Sequence, residues 1–224
     1  MSAAGEILFR ARNGPAKLLR WLTDRLLDRY SDKKFGIVSS QRKTARELGF
    51  DSSEYVPYQA VNYTDMEEIL AILQPGADDV FLDLGCGMGR AVCMAGMHRM
   101  RSVIGVEISP ELCQIAIDNV AKMTARLACR DVRIVNSDAA SYTIPGDVSI
   151  LYLFNPFGGS VLRRVFENVN ASLQVAQRPL RLIFSGTLSS ASFAEEAARH
   201  SWLKLTSKHV LRSGLMVLVY QAAG

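Results

Sequence analysis

The sequence lacks any apolar run near the ~18 residues that a membrane-spanning helix requires. Its first residues include Glu6 and have no apolar core of signal-peptide length. With 49% hydrophobic and 21% charged residues, the composition is typical of a soluble globular protein. We therefore expect a cytoplasmic protein that makes no membrane contact.

Cysteine and histidine are scarce, and neither is spaced for metal binding. The four cysteines form no CxxC pair or zinc spacing, and the three histidines are scattered along the chain. This predicts free thiols in a reducing compartment and no bound metal.

A basic excess is absent from most of the chain. Residues 1–46 hold eleven Lys or Arg and four Asp or Glu, whereas the remainder holds 15 and 18. This argues against a long nucleic-acid interface, although the basic start could contact an anion. Within it, residues 16–30 have one apolar stripe at helical spacing. Such a helix could pack on the domain, form a homodimer contact or lie on a membrane surface.

From residue 80 onward, apolar runs alternate with helical patterns. We predict strands at 80–84, 103–107, 132–136, 149–154 and 180–185, with helices between them. Near-continuous apolar strands separated by helices indicate a buried parallel sheet, and residues 203–221 indicate a terminal antiparallel hairpin. The predicted division is an N-terminal helical or lid extension, 1–63, and an α/β domain, 64–224.

The stretch "VFLDLGCGMGR" places a glycine-rich turn after the first core strand. Ligands of doubly wound sheets bind at this end of the strands. The spacing is G-x-G-x-G, and Arg90 stands where a dinucleotide fold needs its third glycine. Asp83 would repel a pyrophosphate but suits a cationic ligand, such as an amino group beside a sulfonium. A tight turn without a ligand is the alternative.

Two further acids follow the next two strands. Glu107 ends the second strand, where a carboxylate can accept hydrogen bonds from both hydroxyls of a ribose. It could instead serve only as a charge before the helix that starts at Ser109 and Pro110. Asp138 follows the third strand and could accept a hydrogen bond from an adenine amino group.

The motifs "DLGCGMGR", "GVEISPELCQIA", "NSDAASY" and "LYLFNPFGG", in this order, resemble the class I S-adenosylmethionine-dependent methyltransferases over roughly residues 55–220. The resemblance implies a doubly wound, Rossmann-like α/β fold with seven mostly parallel strands, and S-adenosylmethionine as cofactor. "YVPY" with the glycine turn is similar to small bacterial relatives of the non-SET histone-lysine methyltransferases. The cofactor-binding residues that the resemblance predicts are Asp83, Gly85, Cys86, Gly87, Gly89, Arg90, Glu107, Ile108, Asp138, Ala139 and Asn155.

The fourth strand is followed by "FNPFGG". Asn155 and the carbonyl of Pro156 can accept N–H bonds from an amine and turn its lone pair toward the methyl group, and Phe157 can offer a ring face. The stretch resembles the N-P-P-Y/F signature of nitrogen methyltransferases, but it has one proline. A turn that merely closes the strand is the alternative.

No general base stands out, which favours nitrogen over oxygen as the acceptor atom. Tyr55, Tyr58 and Tyr63 could form a lid that excludes water, or could pin a surface loop. We expect transfer to a small-molecule amine, as in secondary metabolism. The alternatives are a protein-lysine methyltransferase, a cofactor-binding protein without transfer activity and, more distantly, an NAD enzyme.

Overall fold

A computed structural model of the chain describes residues 14–44, 46–50, 57–155, 157–186 and 190–222. The helices are α1 (Pro15–Phe35), α2 (Tyr63–Leu73), α3 (Arg90–Gly96), α4 (Pro110–Met123), α5 (Gly159–Val175) and α6 (Ser190–Ala198), with a 3₁₀ turn at Thr124–Arg126. The strands are β1 (Val80–Leu84), β2 (Ser102–Glu107), β3 (Val132–Asn136), β4 (Ile150–Phe154), β5 (Arg181–Ser185), β6 (Leu203–Val210) and β7 (Met216–Ala222).

The seven strands form one sheet in the order β3-β2-β1-β4-β5-β7-β6. Strands β1 to β5 pair in parallel, and β7 pairs antiparallel with both β5 and β6. This confirms the predicted Rossmann-like sheet with an antiparallel hairpin at its end. The chain runs outward from β1 through β2 to β3 and then crosses to β4 on the other side of β1. The switch point, where ligands of such sheets bind, therefore lies at the carboxyl ends of β1 and β4.

Helices cover both faces of the sheet because the central strands are apolar on both sides. Every residue of β1 is buried, and consecutive side chains alternate between two separate core clusters. Phe81 packs in one cluster, and its neighbour Leu82 packs in the other. This burial fixes the register of β1, and with it the position of Asp83 at the sheet edge.

The described N-terminal residues pack directly on the α/β domain. Ile37 and Val61 belong to the same core cluster as Phe81. Asp28 of α1 accepts a hydrogen bond from the backbone N–H of Tyr63, the first residue of α2. The division predicted between residues 63 and 64 therefore falls inside a region of close contact.

Thr64 and Glu67 have the spacing of a capping box, which predicts a helix that starts at Thr64. Helix α2 instead starts at Tyr63, with Asn62 as its N-cap residue, and the Asn62 side chain makes no capping bond. The Asp28 carboxylate takes over one of the free N–H groups at the helix start. A partner from α1 therefore replaces the local cap.

Helix α1 leaves part of its apolar stripe uncovered. Leu19, Leu26 and Tyr30 are each about two-thirds exposed, at 67%, 67% and 66%. The homodimer contact predicted for this helix stays a prediction. Among the described residues, no helix combines the length and apolarity needed to cross a membrane.

Candidate active site

Two carboxylates lie side by side at the carboxyl end of the central strands. Asp83 near the end of β1 is paired in register with Gly105, two residues before Glu107 on β2. Asp83 is 3% exposed and Glu107 6% exposed. Burying two carboxylates together is unfavourable without compensating contacts, so their surroundings indicate what the site is built to hold.

Glu107 is held in place by backbone N–H groups. Its two carboxylate oxygens accept hydrogen bonds from the N–H of Gly87 at 2.8 Å and the N–H of Ser109 at 2.9 Å. Burial raises the pKa of Glu107, and these bonds oppose that rise. Each oxygen keeps a second lone pair, so the carboxylate can still accept from ligand hydroxyls.

Asp83 has no such support. No hydrogen bond between described residues involves its carboxylate, and burial, followed by the charge of Glu107, raises its pKa to about 8. A cationic ligand would supply the missing counter-charge. S-adenosylmethionine carries such charges on its amino and sulfonium groups, and their contact with Asp83 stays a prediction.

The glycine turn between β1 and α3 combines an open position with two crowded ones. Gly85 is exposed, while Gly87, with φ +55°, lies against the ring of Tyr58, which a Cβ would overlap. Gly89 packs against Ala116 in α4, and a Cβ added at Gly89 would lie 3.3 Å from the Ala116 Cα. The turn thus serves close packing at Gly87 and Gly89 and leaves backbone accessible at Gly85.

A narrow cleft of about 90 Å³ runs along this edge of the sheet. The predicted cofactor residues that line it are Gly85, Glu107, Ile108, Asp138, Ala139 and Asn155. The cleft also contacts Phe50 and Leu112, which the sequence analysis missed because neither belongs to a polar motif. Four other predicted cofactor residues are buried and are not part of the lining, namely Asp83, Cys86, Gly87 and Gly89.

A second, larger cavity of about 620 Å³ adjoins the cleft. Gln59, Phe154 and Asn155 line both spaces, so the two meet beside the end of β4. The larger cavity is walled by α1, the segment 39–42, the start of α2 and the turn 213–215. Asn155 stands at the junction of a candidate cofactor cleft and a candidate acceptor cavity.

Phe157 lies on the cofactor side of this junction. It is 5% exposed and lines the narrow cleft, and it packs in the core with Val161 and other apolar residues. Its ring was predicted to face the acceptor, but it does not line the larger cavity. Among the described residues, Phe154 is the aromatic side chain that borders both spaces.

Arg90 is predicted to be a cofactor-binding residue, but its side chain is 2% exposed and its guanidinium is already paired. It donates to Ser39, Ser40 and the carbonyl of Val61. It also lies 2.8 Å from Asp28 and 3.7 Å from Asp32. These partners occupy its N–H groups, so Arg90 fastens the N-terminal segment to the first residue of α3.

Tyr63 belongs to the same network. Its ring lies under the Arg90 guanidinium at 4.3 Å, and its hydroxyl donates to Asp32 at 2.8 Å. It lines neither cavity. Tyr58 does lie over the glycine turn, with its hydroxyl donating to the carbonyl of Ser39 at 2.9 Å. Tyr58 therefore lies beside the predicted cofactor site and Tyr63 does not, and the lid itself stays a prediction.

Some predicted site residues lie outside the described part of the chain, namely Tyr55 and Pro156. Within the described ranges, no group of three or more His, Cys, Asp or Glu is arranged to hold a metal ion. The four cysteines are free and buried.

Two sequence comparisons relate the chain to methyltransferases. Residues 42–140 match the family model described as "Histone methylation protein DOT1". A protein-lysine N-methyltransferase of Saccharolobus islandicus is 33% identical over 69 residues, which are 30% of this chain and 43% of that protein. The alignment thus spans less than half of this curated relative, and the family-model match includes the glycine turn.

Solved structures share the fold at low sequence identity. An RNA methyltransferase of Salinibacter ruber, in complex with S-adenosyl-L-homocysteine, superposes with a TM-score of 0.56 at 17% identity, over 74% of this chain and 94% of that one. An S-adenosylmethionine-dependent methyltransferase of Aquifex aeolicus gives 0.57 at 13% identity, over 71% and 90%. The sheet order and these structural matches show that the chain has the Rossmann-like fold of S-adenosylmethionine-dependent methyltransferases.

Proposed function

We propose that the protein transfers a methyl group from S-adenosylmethionine to the nitrogen of a small-molecule amine. The observation that carries this proposal is the carboxamide of Asn155 at the junction of the two cavities. Its Oδ1 is buried and has no hydrogen-bond partner among the described residues. A buried acceptor without a partner is costly, and an N–H of a bound ligand would satisfy it.

The backbone holds Asn155 in an unusual conformation. Its φ is +41°, in the left-handed region that asparagine tolerates better than most residues. Its N–H donates to the carbonyl of Ser185 at 3.2 Å. Its carboxamide fills the space beside Gly186, where a Cβ would overlap it. These contacts fix the direction of the side chain before any acceptor arrives.

This arrangement suits an in-line displacement. When bound, the cofactor supplies an activated methyl group on a sulfonium, and the cost of the reaction lies mainly in positioning the nucleophile. Asn155 would accept an N–H of the amine and direct the lone pair of its nitrogen. Asp83 would hold the positive charge of the cofactor, and Glu107 would accept from its ribose hydroxyls.

The positions of the histidines favour nitrogen over oxygen as the acceptor. Among the described residues, none of the three histidines lines either cavity. His200 stacks on Phe166 in the core, at 4.9 Å between ring centroids, and His209 bonds to Ser207 on the edge strand. A hydroxyl acceptor needs a base near its proton, whereas an unprotonated amine carries its own lone pair.

The proposal is tested by measuring S-adenosylhomocysteine formation with a panel of primary and secondary amines and matched alcohols. Asn155→Ala should lower the turnover number about tenfold to a hundredfold, the loss expected for one orienting hydrogen bond. Its affinity for S-adenosylmethionine, measured by calorimetry, should change by less than about twofold, because Asp83 and Glu107 remain. Asn170→Ala on α5 is the matched control. Equal turnover in Asn155→Ala and the parent would contradict the acceptor-orienting role.

A protein-lysine acceptor is the second candidate, and the sequence matches favour it. Both the DOT1 family model and the Saccharolobus islandicus relative carry names that refer to histone or protein-lysine methylation. The two candidates share an aliphatic amine as the reacting group. Radiolabel transfer to cellular protein, compared with transfer to the small-molecule fraction, separates them.

A further inference from the structure

The larger cavity contains a second buried oxygen without a partner, on Asp65. This residue lies in the first turn of α2 and lines the cavity wall. It is 4% exposed, and its Oδ1 has no hydrogen-bond partner among the described residues. Burial is the main cause that raises its pKa, with a bond to Ser213 opposing the rise.

The other acids of the cavity wall differ from Asp65 in burial or in partners. Asp28 pairs with Arg90 and accepts the N–H of Tyr63. Asp24 is only part-buried, and the Arg20 guanidinium lowers the pKa of both Asp24 and Asp65, against the larger effect of burial. Asp65 is therefore the wall carboxylate that combines near-complete burial with an unused oxygen.

Asp65 and Asn155 line the same cavity. Asp83 and Asp65 each raise the pKa of the Tyr152 hydroxyl on β4, after the larger effect of burial. That hydroxyl shares a hydrogen bond with the hydroxyl of Ser185 at 3.0 Å, and the Ser185 carbonyl accepts the backbone N–H of Asn155.

We propose that Asp65 is a specificity-determining residue that binds the positively charged ammonium group of the acceptor through its unpartnered oxygen. The proposal rests on the proposed function, since it assigns the larger cavity to the acceptor. It deepens that function by naming the substrate class, which is an aliphatic amine that enters the cavity as a cation and passes one proton to the Asp65 carboxylate before its nitrogen attacks the methyl group. Neutral acceptors of the same shape would lack the charge that Asp65 requires.

Binding of n-butylammonium chloride, followed by calorimetry or NMR titration with S-adenosylhomocysteine present, tests this directly. n-Butylammonium has the shape of a lysine side chain and of many small amines, so it probes the shared chemistry. Asp65→Asn should weaken its binding about tenfold to a hundredfold, the usual effect of losing a charged hydrogen bond. The affinity for 1-butanol should be unchanged by the substitution.

Glu67→Gln is the matched control. Glu67 lies two residues further along α2, is exposed and does not line the cavity. The substitution removes the same charge from the same helix and should leave n-butylammonium binding unchanged. Asp65→Asn should also melt at or above the parent temperature, because it removes a poorly solvated charge and an asparagine oxygen can still accept from Ser213. A merely structural Asp65 would lower the melting temperature instead.

Titrations with free lysine and with Nα-acetyl-lysine methylamide separate the two sources of the amine. Tighter binding of Nα-acetyl-lysine methylamide points to a protein lysine, and tighter binding of free lysine points to a small molecule. Either result supports the proposal if Asp65→Asn abolishes the binding of the preferred ligand. No measurable n-butylammonium binding by the parent, or equal binding by Asp65→Asn, would overturn the proposal. Binding of S-adenosylhomocysteine alone is scored separately, since its failure would count against the proposed function.

Discussion

The pKa of Asp83 makes cofactor binding depend on pH in a predictable direction. Burial and the neighbouring charge of Glu107 raise that pKa to about 8 in the free protein. A cationic ligand binds the ionised form, so a proton must leave Asp83 when S-adenosylmethionine binds at lower pH. Affinity should therefore rise as pH increases toward 8 and then level off.

The size of the effect follows from the fraction of Asp83 that is ionised. With a pKa of about 8, roughly 1% of the carboxylate is charged at pH 6 and roughly half at pH 8. The dissociation constant of S-adenosylmethionine should then fall about 50-fold over this range, which is about 2 kcal/mol. Near pH 6.5, close to one proton should be released for each ligand bound.

Isothermal titration calorimetry at half-unit steps from pH 6 to 8 measures both quantities. Titrations in two buffers of different ionisation enthalpy give the number of protons released. Asp83→Asn should bind more weakly at pH 8 and should show a nearly flat profile, because it has no proton to lose. Asp118→Asn, on the exposed side of α4, is the control and should retain the slope of the parent.

The same proton also affects the stability of the free protein. The folded state holds the Asp83 proton up to about pH 8, whereas the unfolded chain releases it near pH 4. Folding therefore binds a proton between these values, and the free energy of unfolding should fall as pH rises through this window. The fall should be smaller in Asp83→Asn. A pH-independent dissociation constant, or an equal slope in parent and Asp83→Asn, would refute the assignment of Asp83 to the cofactor.

Two further substitutions test the packing around the glycine turn. Gly87→Ala should cost about 1–3 kcal/mol in urea unfolding and weaken cofactor binding, because a Cβ would overlap the Tyr58 ring at a positive φ. Gly214→Ala has a positive φ in open space, so the excess cost of Gly87→Ala over this control isolates the overlap. Arg90→Gln should cost about 3–5 kcal/mol, since it leaves buried carboxylates unpaired. Arg101→Gln, whose ion pair is exposed, should change stability by less than about 1 kcal/mol, and equal losses in both variants would show that Arg90 is not the fastening residue.

The sheet was predictable from the sequence because its signals are local. Strands β1, β3 and β6 have the predicted bounds, since short apolar or alternating runs lie between clear turn residues. The position of the two carboxylates was predictable for the same reason. Each acid directly follows an apolar run, and the parallel arrangement brings both to one edge of the sheet.

The contacts of the N-terminal segment were not predictable, because they join residues far apart in the sequence. Arg90 is correctly placed at the start of α3, but its partners Ser39 and Asp28 lie 51 and 62 positions earlier. Asp65 was missed because an acid in the first turn of a helix is an ordinary stabilising feature. Its unusual property, burial beside a cavity, depends on α1 and on the turn at Ser213.

The two cavities are formed by different parts of the chain. The residues proposed to hold the cofactor, Asp83 and Glu107 among them, lie on the sheet, where the fold fixes them. The larger cavity is walled chiefly by α1, the segment 39–42 and the start of α2, which the Arg90 network fastens to the turn. Because this network joins that wall to the first residue after the glycine turn, a shift of α1 would be felt at both cavities. A substitution on α1 that disturbs the Arg90 network is therefore expected to change cofactor binding together with acceptor binding.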